Sequence, residues 1–189
     1  MKAIAYQHSL PISEAESLVD VTLADPIASG RDLLVEVKAI AVNPVDTKIR
    51  RGQQPPAGEW KVLGWDAAGV VRAVGPEVSM FKPGDTVWYA GAINRAGSNS
   101  ELQLVDERIV GSMPATLDFA AAASLPLTSI TAWELLFDRL QIERGGQGYG
   151  KSLLVIGAAG GVGSILVQLA RRLTGLTVIA TASRPESQA

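Results

Sequence analysis

The chain has 189 residues, 47% hydrophobic and 19% charged, which is the composition of an ordinary globular protein with material for a real core. A net charge of −2 points to neither a nucleic-acid partner nor an acidic membrane surface, and the lack of cysteine excludes disulfides and thiolate metal sites. Residues 1–20 carry Glu14, Glu16 and Asp20 without a long apolar run, and no stretch reaches membrane-span length, so a cytoplasmic location is expected.

Up to about Met113 the text reads as short strands separated by turns. KAIAY opens the first. LLVEVKAIAV (33–42) alternates, with Val35, Val37 and Ala39 on one side and Glu36 and Lys38 on the other. GVVRAVG (69–75) is a third strand. Lys82-Pro83-Gly84-Asp85 is a turn signal ahead of TVWYA, and ELQLV and RIVG supply further strands around a loop at 97–100. This rhythm predicts a β-barrel-like domain. Beyond Pro114 the texture changes. Ala120 to Ala123 and Ser129 to Leu140 carry helix formers and apolar residues at helical spacing, and residues 141–150, with four glycines, form a loop. The change places a domain boundary near 120–127.

The stretch LLVIGAAGGVGSILVQLARRL (153–173) organises the second half of the chain. Leu153 to Ile156 is a continuous apolar run suited to a strand covered on both faces. A glycine-rich turn ends it, and Val162, Ile165, Leu166, Leu169 and Leu173 then recur at helical spacing. Strand, glycine turn and helix make half of a dinucleotide-binding βαβ unit. Gly160 lets the backbone approach a diphosphate and Gly163 lets the helix pack on the strand, while the helix N-terminus offers N–H groups and partial positive charge. Because Ala158 holds the first position of the GxGxxG register, a plain tight turn is the alternative. Gly175 is placed to close the helix before a strand at 176–180. About 20 residues past the glycines, where NAD binders carry an acid, the chain reads Thr181-Ala182-Ser183-Arg184. A hydroxyl and a guanidinium suit a 2′-phosphate and favour NADP, against a merely solvated Arg184. Two strands and about two helices fall short of a doubly wound sheet, so the chain is expected to be the N-terminal part of a longer protein.

The same residues resemble a known family. GKSLLVIGAAGGVGSILVQLAR (150–171) is similar to the signature of the quinone oxidoreductase (zeta-crystallin) branch of the medium-chain dehydrogenases/reductases. NPVDTKIRRG (43–52) resembles the family's early active-site segment, and LGWDAAGVVRAVG (63–75) its version of GHExxGxxxxxxG. PGDTVW and LPLTSITAWE come in the expected order, and the wording is nearest to zinc-type alcohol dehydrogenase-like proteins. The resemblance implies a mixed α/β fold. A GroES-like β-barrel-like catalytic domain (1–123, incomplete without a C-terminal return) precedes the start of a Rossmann NADP-binding domain (124–189).

Zinc-dependent relatives need a cysteine on the early segment and a histidine in GHE. Here those places read Asn43-Pro44-Val45-Asp46 and Gly64-Trp65-Asp66, and the lone histidine, His8, lies by the first strand. No metal is expected. Without one, an acceptor that spreads charge, a quinone or an α,β-unsaturated carbonyl, is the plausible substrate for hydride from NADPH.

Asn43 is the first candidate group for the substrate oxygen or the nicotinamide ribose, or else a turn residue before Pro44. Lys48 would stabilise an enolate as a cation or stand as a surface lysine. Trp65 walls the substrate or is a core tryptophan, Asp66 accepts structural hydrogen bonds, and Asp46 caps a helix start or pairs with a nearby cation. Of Thr128 and Thr131, the resemblance implies that one lies near the nicotinamide; the alternative is helix N-capping. Ala158, Gly160, Gly161, Val162, Gly163, Ser183 and Arg184 complete the expected cofactor set. The leading expectation is a cytoplasmic, homodimeric NADPH-dependent reductase. The alternatives are a non-enzymatic NADPH binder and an alcohol dehydrogenase.

Overall fold

The computed structural model describes residues 1–146 and 150–184. The chain divides into two compact units, the first Met1–Pro126 and the second beginning at Leu127.

In the first unit the alternating segments become antiparallel sheets. A three-stranded sheet has the order β2-β1-β4, from β1 (Lys2–Tyr6), β2 (Val19–Thr22) and β4 (Lys61–Val62). A five-stranded sheet has the order β7-β3-β5-β6-β8, from β3 (Asp32–Ala41), β5 (Asp66–Val74), β6 (Thr86–Ala90), β7 (Leu102–Asp106) and β8 (Gly111–Ser112). Neither closes into a barrel. The inward residues Leu33, Val35, Ala67, Val71, Val87 and Tyr89 form the core, as period-2 alternation requires. Helix α1 (Pro44–Gly52) follows β3, and the short α2 (Phe119–Ala123) lays Ala122 and Ala123 on Ala68 of β5.

Two expectations are corrected here. β5 starts at Asp66 rather than Gly69, because its first residues are paired on both sides, with β3 and with β6. RIVG is not a strand. Glu107–Ile109 is a 3₁₀ turn, pinned because the fully buried Glu107 carboxylate accepts from Arg31 Nη1 at 2.8 Å and from the Ser79 and Met80 N–H groups at 2.9 and 2.7 Å. Only Gly111–Ser112 then pairs with β6.

The second unit contains α3 (Pro126–Trp133, starting on the last residue of the first), a π-helical turn at Glu134–Arg139, β9 (Ser152–Val155), α4 (Gly161–Leu173) and β10 (Thr177–Ala180). β9 and β10 pair in parallel, Val155 opposite Ala180. The predicted α4 stripe faces inward. Leu166 and Ala170 are buried with Val155, Ala132 and Leu136, while Val162, Ile165 and Leu169 flank them. The helix ends on Thr174 rather than Gly175. The Thr174 N–H and hydroxyl both donate to Ala170 O, at 3.1 and 2.6 Å, and the backbone continues extended with no left-handed glycine.

Candidate functional site

Sheet register builds the first group of candidate residues. Ala41, the last residue of β3, pairs with Asp66, the first of β5, so Asn43 emerges two residues later beside Asp66. Asn43 (φ −117°, ψ 162°) is the N-cap of α1, and Pro44 supplies the preset φ of the first turn. Asp46 closes a capping box by accepting the Asn43 N–H at 2.8 Å. The Asn43 Nδ2 donates to Asp66 Oδ2, also at 2.8 Å. Both carboxylates are buried, Asp46 at 5% exposure and Asp66 at 0%. Burial pushes the Asp46 carboxyl above its usual range, opposed by the N–H groups of Asn43, Asp46 and Gly64, and its Oδ1 has no hydrogen-bond partner.

Trp65 precedes Asp66 and clusters at 4% exposure with Tyr6, Ile49 and Leu63. Its indole Nε1 is buried without a partner. Lys48 is exposed on α1, as is His8 just beyond β1. Among the described residues no three His, Cys, Asp or Glu side chains gather as a metal would need.

The second group belongs to the second unit. The turn after β9 opens with Gly157 (φ 72°), and Gly160 N–H returns to Gly157 O at 3.0 Å. A Cβ on Gly163 would lie 2.5 Å from Gly157 O and 2.7 Å from Ala158 Cα, so only glycine permits this approach of helix to turn. The first backbone bond into α4 runs from Ser164 N–H to Gly160 O at 2.9 Å. The N–H groups of Gly161, Val162 and Gly163 are therefore the free donors of the helix start. No acidic side chain occupies the first turn, while Arg171 and Arg172 offset the dipole at the far end. Gly157, Gly160 and Gly161 are exposed among the described residues.

Thr128 lies against this helix start, its methyl 3.1 Å from where a Gly161 Cβ would stand. The Thr131 hydroxyl instead donates to Leu127 O at 2.7 Å. Both threonines sit inside α3, so neither is its N-cap residue. Sequence reasoning missed Thr181. Its Oγ1 accepts the Gly157 N–H at 3.2 Å and its carbonyl accepts the Ala158 N–H at 2.9 Å, which ties the chain entering Ser183 and Arg184 to the glycine turn. Ser183 and Arg184 are exposed. A hydroxyl residue closing the second strand was the signal available for Thr181.

Comparison with known proteins fits this geometry. Residues 29–121 match the alcohol dehydrogenase GroES-like domain. Over 188 residues the chain is 47% identical to a zinc-type alcohol dehydrogenase-like protein of Staphylococcus aureus, covering 99% of this chain and 55% of that one. It is 38% identical over 193 residues to the 2-methylene-furan-3-one reductase of Solanum lycopersicum, covering 97% and 47%. Among solved structures, a candidate zinc-dependent alcohol dehydrogenase from Rhizobium etli superposes with TM-score 0.93 at 59% identity, over 100% of this chain and 55% of that one. The Escherichia coli quinone oxidoreductase complexed with NADPH gives 0.79 at 32% identity, over 99% and 54%. The chain thus spans about half the length of the relatives it matches. Among the described residues no helix is long and apolar enough to cross a membrane. With a GroES-like unit ahead of a strand–glycine turn–helix unit, the chain belongs to the medium-chain dehydrogenase/reductase superfamily of oxidoreductases.

Proposed function

We propose that the protein is an NADPH-dependent, zinc-independent reductase of quinones or α,β-unsaturated carbonyls. The observation that carries the reading is the exposed glycine turn, which Gly163 alone allows to sit against α4 beneath three free N–H groups. Bound NADPH supplies a hydride. The N–H groups of Gly161, Val162 and Gly163 bind the diphosphate, while Ala158 and Gly160 keep the turn slim enough for its approach. Ser183 and Arg184 take the 2′-phosphate by hydroxyl and guanidinium. Thr128, beside the helix start, is the better placed of the two threonines to line the nicotinamide end, with Thr131 behind it in α3.

Asn43 holds the acceptor oxygen or the nicotinamide ribose, and Lys48, an exposed cation on α1, stabilises the enolate or quinol oxyanion left by hydride addition. Trp65, packed on Tyr6, Ile49 and Leu63, gives the substrate segment an apolar backing. The donor set does not fit zinc, because the ligand positions read Asn43 and Trp65 and the sole histidine is exposed by β1. The NADPH-bound quinone oxidoreductase and the furanone reductase among the relatives support the acceptor class. The partner is a small molecule, with no nucleic acid or membrane involved, and the proposed state is a cytoplasmic homodimer.

The test is an NADPH-oxidation screen of the gene product over quinones, enones and aldehydes with a chelator present. Turnover of quinones or enones is expected to survive chelation. Binding of NADPH without turnover would favour a non-enzymatic role, and chelator-sensitive oxidation of alcohols would favour an alcohol dehydrogenase.

A further inference from the structure

We propose that Asp66 is a positioning residue, which holds the Asn43 carboxamide so that it meets its ligand as a hydrogen-bond donor to an oxygen acceptor. The proposal rests on the assignment of Asn43 as a ligand-binding residue. An asparagine amide offers two N–H donors on one side and an oxygen on the other, and an isolated side chain can turn either way. Asp66 removes that freedom. A carboxylate oxygen accepts, so the edge of Asn43 facing Asp66 Oδ2 at 2.8 Å is the nitrogen. The Asn43 main chain is held as well, its carbonyl accepting the Asp46 N–H at 3.0 Å and its own N–H donating to Asp46 Oδ2 at 2.8 Å. Two buried carboxylates therefore clamp one residue, Asp46 by its backbone and Asp66 by its side chain. The second amide hydrogen of Asn43 is what remains to be offered, and its natural complement is a carbonyl, enolate or hydroxyl oxygen.

The clamp is fixed by the fold rather than by the helix alone. Asn43 and Asp66 lie 23 residues apart, and the Ala41–Asp66 pair of the sheet brings them together. Neither neighbour can swing away, since Asp66 begins β5 between β3 and β6 and Asn43 stands between Ala41 and the Pro44 turn. A carboxylate partner also polarises the amide and strengthens the donor it leaves free.

The experiment is a double-mutant cycle of Asn43→Ala and Asp66→Ala, with Asp66→Asn as the conservative variant. It reads kcat and KM for a quinone acceptor, together with the side-chain amide NMR signals of Asn43 assigned by their loss in Asn43→Ala. A positioning role predicts that Asp66→Ala loses about tenfold in kcat/KM and that the double variant is no worse than Asn43→Ala within about twofold. Asp66→Asn, whose carbonyl can accept the same hydrogen, should recover most of that loss, and the Asn43 amide signals should shift in Asp66→Ala far more than in Asp66→Asn. Independent, multiplying losses would overturn the proposal, as would unmoved Asn43 signals. If Asp66→Ala does not fold, the cycle runs through Asp66→Leu, and unchanged Asn43 signals in a folded Asp66→Leu would overturn it equally. A wild-type protein that oxidises no NADPH would refute the reductase reading, while the amide signals would still decide the clamp.

Discussion

Replacing Gly163 with alanine tests how the glycine turn is built. The new Cβ would stand 2.5 Å from Gly157 O, 2.7 Å from Ala158 Cα and 2.9 Å from Ala158 C, where ordinary contact begins at 3.4 Å. All three atoms are backbone, so relief requires α4 or the turn itself to move by most of an ångström. Overpacking of that kind costs about 3 kcal/mol, and the better helix propensity of alanine returns about 1 kcal/mol, leaving a net loss of about 2 kcal/mol. In a chain of this size that is a fall of about 6 °C in melting temperature. Gly160→Ala is the matched control. Its Cβ would meet only Gly157 O, at 3.3 Å, and its φ of −75° suits alanine. Stability should change by less than about 1 kcal/mol, whereas a methyl group on the exposed approach to the helix start should weaken NADPH binding about tenfold. Thermal melts and fluorescence titration with NADPH read the two effects separately. Wild-type stability in Gly163→Ala would refute the close approach, and wild-type affinity in Gly160→Ala would refute the diphosphate site.

Three further outcomes concern the first unit. Lys48→Ala should leave the melting temperature unchanged, because the side chain is exposed, and should lower kcat about tenfold with quinones if its charge meets the oxyanion; an unchanged kcat removes Lys48 from the mechanism. Trp65→Phe should cost less than about 1.5 kcal/mol, since the buried Nε1 has no hydrogen bond to lose, against about 3–5 kcal/mol for Trp65→Ala; chemical denaturation separates them, and equal losses would contradict the orphaned donor. Tyr89 donates to Gln103 Oε1 at 2.9 Å, and burial raises its phenol far above the ordinary value. The folded chain keeps that proton above about pH 10 while the unfolded chain releases it, so stability falls there with a slope of up to about 1.4 kcal/mol per pH unit. Tyr89→Phe should remove that part of the slope, at a cost near neutrality of about 1–3 kcal/mol from leaving Gln103 Oε1 without its donor; an unaltered slope would contradict it.

Much of this molecule is legible in its residues, and the failures share a cause. Period-2 alternation marks β3 and the helical stripe marks α4 because each element buries one face and the sequence records which. RIVG misleads because Glu107, a charged residue, is fully buried on partners from Arg31 and the 79–80 segment, which local pattern does not reveal. The π-helical turn at Glu134–Arg139 depends on bonds such as Leu140 N–H to Leu135 O, and apolar spacing does not register the extra residue. Gly175 looks like a helix stop, but the Thr174 hydroxyl reaches Ala170 first. In the site, Asn43, Gly160 and Gly163 stand out as residue types, whereas the roles of Asp66 and Thr181 arise from strand pairing. Asp66 meets Asn43 through the β3–β5 register, and Thr181 meets Gly157 through the parallel β9–β10 pair. Part of the predicted 141–150 loop, residues 147–149, lies outside the described residues.

In the proposed function the helix start of α4 receives a diphosphate and Arg184 takes a 2′-phosphate. Equilibrium titration of the wild-type protein and of Arg184→Glu with NADPH and with NADH tests it most directly. The wild type should bind NADPH at least about tenfold more tightly than NADH, and Arg184→Glu should abolish or reverse that preference by exchanging a guanidinium for a carboxylate. Equal affinity of the wild type for the two nucleotides, or a preference that survives Arg184→Glu, would contradict it.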